Sequence, residues 1–154
     1  MHASLNPRDQ LAAFLPSKSG FRKIIIASNI AETSITLPSI GFVIDSGLTR
    51  QKILDPSTGV EILITIPISQ ASAKQRAGRT GRENPGKAYR LYTKESYEKL
   101  QKFDIPEIKR SNLMYFILTC KMIGIKDFGS IKMLSVNHFY IYFLLSIRSQ
   151  ARII

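Results

Sequence analysis

Gln75-Arg76-Ala77-Gly78-Arg79-Thr80-Gly81-Arg82 places three arginines in seven positions and separates them with two glycines. Glycine thins the backbone around each guanidinium, and the planar fork of a guanidinium suits the oxygens of a phosphate. At a spacing of three on a helix, the three side chains would sit on neighbouring turns of one side and could converge on one polyphosphate. On charge alone the same run also reads as a basic face in solvent. Its surroundings decide. Upstream, Ser69 is placed to cap a helix through Gln70, Ala73 and Gln75. Downstream, Lys87 to Tyr92 reads as a strand. The overlapping run Gly81 to Ala88 has the spacing of a phosphate-binding P-loop except at its last position, where alanine cannot ligate magnesium, and it leads into a strand where a P-loop would lead into a helix. It is not read as one.

Further out, Lys23-Ile24-Ile25-Ile26-Ala27 is continuous and β-branched, the pattern of a parallel strand covered on both faces, and Gly41 to Asp45 repeats it. The polar, hydroxyl-rich stretch Asn29 to Pro38 lies between them, where open parallel sheets expose ligand-binding loops. Arg50 to Leu54 and Val60 to Ile66 flank Asp55-Pro56-Ser57-Thr58-Gly59, whose turn chemistry predicts a hairpin with its tip in solvent. Asn6-Pro7 opens a short helix whose apolar face continues through Leu15 to the stop at Pro16. Thr93 can cap a helix over Lys94 to Lys102, and Ser111 one over Asn112 to Ile123, stopped at Gly124. The order is that of an α/β protein with a helical appendage.

The chain of 154 residues is about one domain in size and carries 22 basic against 11 acidic residues, a net charge of +11. A polyanion is the expected partner, and nucleic acid is favoured over a membrane because the charge is spread through folded-looking sequence. The single cysteine, Cys120, excludes an internal disulfide or a cysteine-rich metal site; its apolar neighbours predict a buried, reduced thiol and an intracellular location. Met1 to Gln10 lacks the apolar core of a signal peptide, and the apolar run Phe139 to Ile147 is too short to span a bilayer.

In combination, Ser28-Asn29-Ile30-Ala31-Glu32-Thr33-Ser34-Ile35-Thr36 and Gln75 to Arg82 resemble helicase motifs V and VI of the DEAH-box RNA helicases. The resemblance takes in the helix Leu5 to Phe14, the hairpin with Gln51-Lys52, Pro67 to Ala71, Tyr89 to Thr93, and Pro106 to Leu113, and spans about Met1 to Phe128. It implies a RecA-like lobe with a mainly parallel sheet flanked by helices, a projecting β-hairpin, and the start of a winged-helix domain. Residues 1–105 would be a partial second RecA-like lobe, 106–128 the start of the winged helix, and 129–154 a tail outside the family pattern. The P-loop and acidic box belong to a first lobe not found in this sequence, and the opening strand and motif IV region of the second lobe are expected to be missing too.

The resemblance also implies roles. Arg79 and Arg82 match the arginines that meet the ATP phosphates, and Gln75 the glutamine near the attacking water. Arg76 is the least assigned of the three arginines and fits a structural role. Phe14 matches the aromatic on which adenine stacks, Ser34 the relay of phosphate state, and Thr36 a ribose neighbour. Ser28 and Asn29 match positions on the RNA backbone; Ser28 stands where the family usually has threonine, and Pro38 where many relatives carry an acidic residue. The hairpin resembles one that wedges beside nucleic acid. The implied cofactor is ATP with Mg²⁺, the metal ligands coming from the first lobe. The implied partners are RNA, that first lobe and a helicase-activating protein, with a nuclear rather than cytoplasmic setting. A non-catalytic basic RNA-binding or helicase-interaction module is the alternative.

Overall fold

In a computed structural model the described residues are 1–55, 57–125 and Ile131. The predicted tail, 129–154, lies outside them apart from Ile131. The chain divides into two compact units, Met1–Arg50 with Thr65–Asp104, and Gln51–Ile64 with Ile105–Ile154.

The first unit is built around two parallel strands, β1 (Phe42–Asp45) and β4 (Lys87–Arg90), in the register Phe42 to Lys87 and Asp45 to Arg90. β2 (Leu48–Leu54) and β3 (Glu61–Pro67) make a separate two-stranded sheet and belong to the crossover between β1 and β4. The crossover ends in helix α3 (Gln70–Ala77), which packs on β1 and on the short helix α2 (Ile30–Thr33). Ser69 caps α3 as its position predicts, its hydroxyl oxygen accepting from the Ser72 amide at 3.0 Å. Thr93 caps α4 (Lys94–Lys99) in the same way, at 3.1 Å from the Ser96 amide. Both caps satisfy amides that the helix cannot pair itself. Ile68, just before α3, and Ala73 within it are each 1% exposed.

Several expectations need correction. β1 forms but is not covered on both faces, Phe42 and Ile44 being 67% and 71% exposed, and α4 stops at Lys99, short of the predicted Lys102. Lys23 to Ala27 is not a strand: Ile24 and Ile26 are 80% and 84% exposed. A parallel strand is completed by ladder bonds from neighbours, and among the described residues no strand pairs with this run. Helix α1 (Pro7–Leu11) starts as predicted, with Asn6 Oδ1 accepting from the Arg8 amide at 3.0 Å, but stops well short of Pro16. The Lys23 ammonium donates to the Ala13 carbonyl at 2.6 Å, an acceptor that a continuing helix would have used itself. In the second unit, α5 (Met114–Met122) begins two residues later than predicted and without the Ser111 cap. Ser111 donates back to the Glu107 carbonyl at 2.9 Å, closing the 3₁₀ turn Glu107–Lys109, and Asn112 Oδ1 accepts from the Met114 amide at 2.8 Å.

The hairpin tip forms as expected. Asp55 Oδ1 accepts from the Ser57 amide at 2.9 Å and its hydroxyl at 2.8 Å, while Oδ2 accepts from Thr58 at 3.0 Å. The amide and hydroxyl of Ser57, then the Thr58 hydroxyl, hold this carboxyl below the usual range. Within the second unit Arg110 staples the hairpin, donating to the Lys52 carbonyl while its own carbonyl accepts from Leu54, both at 2.8 Å. Ile117 and Cys120 are buried there, against Leu113, Phe116, Ile125 and Ile131. The buried thiol is the one predicted.

Candidate functional site

α3 ends at Ala77, so only the first of the three arginines is helical. Arg79 and Arg82 lie in the turns that follow: the Arg79 amide bonds the Arg76 carbonyl at 3.1 Å, and Gly81 takes a φ of 77°. The three side chains therefore do not form one helical row, and they part into two kinds.

Arg76 turns into the unit. Its Nε donates to Glu32 Oε2 at 2.9 Å, and its Nη1 to Asp45 Oδ1 at 2.8 Å and the Leu48 carbonyl at 3.1 Å. Burial opposes its charge, but the hydrogen bonds and attraction of Glu32 and Asp45 outweigh that and raise its pKa above the ordinary arginine value. The network continues on both sides. Ser72 donates to Glu32 Oε1 at 2.6 Å and also lies 2.9 Å from Asp104 Oδ2, which accepts from Ser69 at 2.9 Å. Tyr92 donates to Asp45 Oδ2 at 2.8 Å, and the Gly47 amide to Asp45 Oδ1 at 3.0 Å. Burial first, then the bond to Asp45 and the Asp45 charge, push the Tyr92 phenol up to about 12. Gly47 has a φ of 75°, and a Cβ there would fall 2.6 Å from the Tyr92 ring, so both backbone and space require glycine. Asp45, at 3% exposed, is thus a buried carboxylate with every contact made.

Arg79 and Arg82 are placed differently. Arg79 Nη1 donates to the Ile35 carbonyl at 3.2 Å, and its Nε is buried with no hydrogen-bond partner. Arg82 donates from Nε to the Gly78 carbonyl at 3.2 Å and from Nη1 to the Thr36 hydroxyl at 2.9 Å. All these acceptors are neutral, and neither arginine makes an ion pair among the described residues. Both line a pocket of about 160 Å³ with Thr36, Ser39, Glu83 and Asn84. The one carboxylate in that lining bonds Ser39 and forms an ion pair with neither arginine: Glu83 Oε2 accepts the Ser39 amide at 3.0 Å and hydroxyl at 2.9 Å. Ser39 has a φ of 54°, a left-handed conformation costly for a residue with a Cβ, and the Glu83 clamp holds it. Behind the pocket Thr80 donates to the Ile40 carbonyl at 2.8 Å, and Gly86 fits so closely that a Cβ would lie 1.8 Å from the Thr80 hydroxyl oxygen and 2.8 Å from the Gly41 carbonyl oxygen.

Two guanidiniums without an ion-pair partner, one of them with its Nε buried and unbonded, and a hydroxyl make a site with capacity for an anion of several oxygens. Such chemistry fits the phosphates of a nucleotide. Of the residues singled out in the sequence, Thr36, Arg79 and Arg82 come together here. Ser34 ends α2 with its hydroxyl 3.3 Å from that of Thr33. Gln75 is exposed on α3, and Phe14, 37% exposed, follows α1; neither lines the pocket. Ser28 and Asn29 immediately precede α2, and both are exposed. Sequence reasoning missed Glu32, Asp45, Glu83 and Ser39. A lone carboxylate inside the hydroxyl-rich run was the available signal for Glu32.

Residues 1–84 match the model of the helicase conserved C-terminal domain. The chain is 50% identical over 125 residues to the pre-mRNA-splicing factor ATP-dependent RNA helicase DEAH10 of Arabidopsis thaliana, covering 81% of this chain and 17% of that protein. It is 47% identical over 127 residues to the probable ATP-dependent RNA helicase DHX35 of Homo sapiens, covering 82% of this chain and 18% of that one. The crystal structure of the Escherichia coli DEAH/RHA helicase HrpB superimposes with a TM-score of 0.78 at 40% identity, over 86% of this chain and 17% of that chain. The chain thus spans less than a fifth of the length of each of these proteins. Its motifs, its α/β fold and these likenesses agree: the chain belongs to the helicase conserved C-terminal domain family and is a C-terminal RecA-like lobe of the DEAH-box RNA helicases.

Proposed function

We propose that this chain supplies one wall of an ATP site and part of an RNA track, and that hydrolysis requires a first RecA-like lobe bearing the P-loop and the acidic box. The observation that carries the reading is the pair Arg79 and Arg82, two guanidiniums bonded only to neutral acceptors at one pocket. Their work would be to stabilise charge developing on the γ-phosphoryl oxygens, an effect of about 10³ to 10⁵ in rate where an arginine plays this part. The orphan Arg79 Nε is a donor that a phosphate oxygen would satisfy. Thr36, now bonded to Arg82, would be released toward the ribose as Arg82 turns to phosphate. Gln75 would orient the attacking water, Ser34 would relay phosphate state, and Phe14 would stack on adenine. Mg²⁺ would neutralise charge on the phosphates when bound, and its ligands would come from the first lobe.

Ser28 and Asn29 would meet the RNA backbone, where short hydroxyl and amide groups bond phosphate and sugar without reading bases. Residues 106–128 would begin a winged-helix domain after a partial lobe over 1–105. RNA and the first lobe are the required partners, a helicase-activating protein a further one, and the nucleus the setting, in keeping with the splicing factor among the relatives. Among the described residues no helix is long and apolar enough to cross a membrane. The test is ATP hydrolysis by the chain mixed with a separately expressed first lobe. Hydrolysis that appears on mixing and is lost in Arg79→Ala is the expected result. Salt-sensitive RNA binding with no restored hydrolysis would replace this reading with a non-catalytic RNA-binding module, which the net charge of +11 would serve.

A further inference from the structure

We propose that Glu83 is a positioning residue for the nucleotide: by holding Ser39 in its left-handed conformation, it keeps Thr36 at the pocket wall once phosphate has drawn the arginines off it. The inference rests on the function proposed above and names a further residue of that same site. Ser39 stands between two stretches of chain that are held in different ways. On its C-terminal side the backbone is anchored: the Ile40 carbonyl accepts from the Thr80 hydroxyl at 2.8 Å, and the Gly41 carbonyl from the Lys87 amide at 2.9 Å, just before β1 and β4 pair. On its N-terminal side the ties are guanidiniums, Arg79 on the Ile35 carbonyl at 3.2 Å and Arg82 on the Thr36 hydroxyl at 2.9 Å. From Thr36 to Ser39 the Ser39 amide is the one backbone group with a partner among the described residues, and that partner is Glu83.

An anionic oxygen is a stronger acceptor for a guanidinium than a carbonyl or a hydroxyl, so phosphate would take both arginines from these ties. Thr36 can then serve the sugar only if the backbone that carries it stays where it is. What remains to hold that backbone is Glu83 Oε2, which accepts the Ser39 amide at 3.0 Å and hydroxyl at 2.9 Å. The clamp fixes an angle as well as a position. Ser39 has a φ of 54°, which a residue with a Cβ leaves when nothing holds it there. Because the chain is anchored from Ile40 onward, a return to negative φ would swing the Thr36 to Pro38 side and carry the Thr36 hydroxyl away from the wall. As a bare charge Glu83 would oppose an anion in the pocket that it lines; as a clamp it would favour one. The two roles differ in sign and can be told apart.

Two measurements test it. In the full chain without nucleotide, a left-handed Ser39 brings its own amide and α protons close together. A strong nuclear Overhauser effect between them is expected in the unsubstituted protein and in Glu83→Gln, whose amide oxygen still accepts both donors, and it should weaken in Glu83→Ala. An effect that persists in Glu83→Ala would overturn the assignment, since the angle would not depend on the clamp. In hydrolysis with the separately expressed first lobe, Glu83→Ala should raise KM for ATP about tenfold, on the scale of the cost of a left-handed residue, and lower kcat far less. Glu83→Gln should stay near the unsubstituted KM. Ser39→Gly added to Glu83→Ala should bring KM back toward it, because glycine takes a positive φ unaided. A lower KM in both Glu83→Ala and Glu83→Gln would make the carboxylate a repelling charge only, and an unchanged KM in Glu83→Ala would make the clamp irrelevant to the nucleotide. Either result refutes the proposal and leaves the ATP reading standing. No hydrolysis by the unsubstituted mixture would overturn the ATP reading, and this assignment with it, whatever Ser39 does in the chain alone.

Discussion

Removing the Asp45 carboxylate should destabilise the first unit more than almost any other single polar change. Asp45 is 3% exposed and accepts from the Arg76 guanidinium, the Tyr92 hydroxyl and the Gly47 amide. In Asp45→Ala the phenol and the amide each lose an acceptor, at about 1 kcal/mol apiece. Arg76 keeps Glu32 but loses its second carboxylate; because its side chain is 16% exposed, water relieves part of the loss, and the cost is about 1 to 2 kcal/mol against the 3 to 5 of a fully buried pair. The sum is about 3 kcal/mol, and at about 4 °C per kcal/mol for a unit of this size the melting temperature should fall by about 12 °C. Asp45→Asn retains an acceptor oxygen and loses the charge, so it should fall by about half as much. Thermal unfolding followed by circular dichroism, with urea denaturation as a check on cooperativity, measures both. If Asp45→Ala melts within about 2 °C of the unsubstituted chain, the network contributes nothing and the reasoning built on it fails.

Other substitutions probe the same architecture. Ser69→Ala removes both the α3 cap and a donor to Asp104, and should cost about 2 kcal/mol in urea denaturation. Gly86→Ala would press a methyl group against the Gly41 carbonyl and the Thr80 hydroxyl, and should cost about 2 kcal/mol or more by the same measurement, since the backbone oxygen cannot step aside. Tyr92 adds an alkaline limb. Its folded pKa, near 12, lies above the ordinary value of 10.0, so its contribution is complete below about pH 10 and is lost as pH rises toward 12. The stability difference between the unsubstituted chain and Tyr92→Phe should therefore shrink across that window; a difference independent of pH would contradict the bond to Asp45.

Local chemistry explains what could be read in advance. Ser69 and Thr93 cap helices because a short hydroxyl side chain before a helical run has few better uses, and β1 follows from the apolar, β-branched run Phe42-Val43-Ile44. Lys23 to Ala27 fails for the converse reason. The run describes a strand that neighbours must complete, and residue pattern alone does not say whether neighbours are present. At the site, the resemblance pointed to Thr36, Arg79 and Arg82, which do share a pocket. The division of the arginines was legible only through the resemblance, which left Arg76 a structural role; the partners that claim it were not, because those carboxylates lie 44 and 31 residues away in the chain. The Ser39 strain was hidden in the same way, its clamp being Glu83, 44 residues on.

We propose that guanidiniums of this chain complete a nucleotide pocket whose other wall is a first RecA-like lobe. Sedimentation of that lobe with this chain, in the presence of ADP and aluminium fluoride as a mimic of the transferring phosphoryl group, tests it most directly. A complex that forms only with the mimic, and is lost in both Arg79→Ala and Arg82→Ala, is the predicted result. A complex that forms equally well with either arginine removed would contradict the claim.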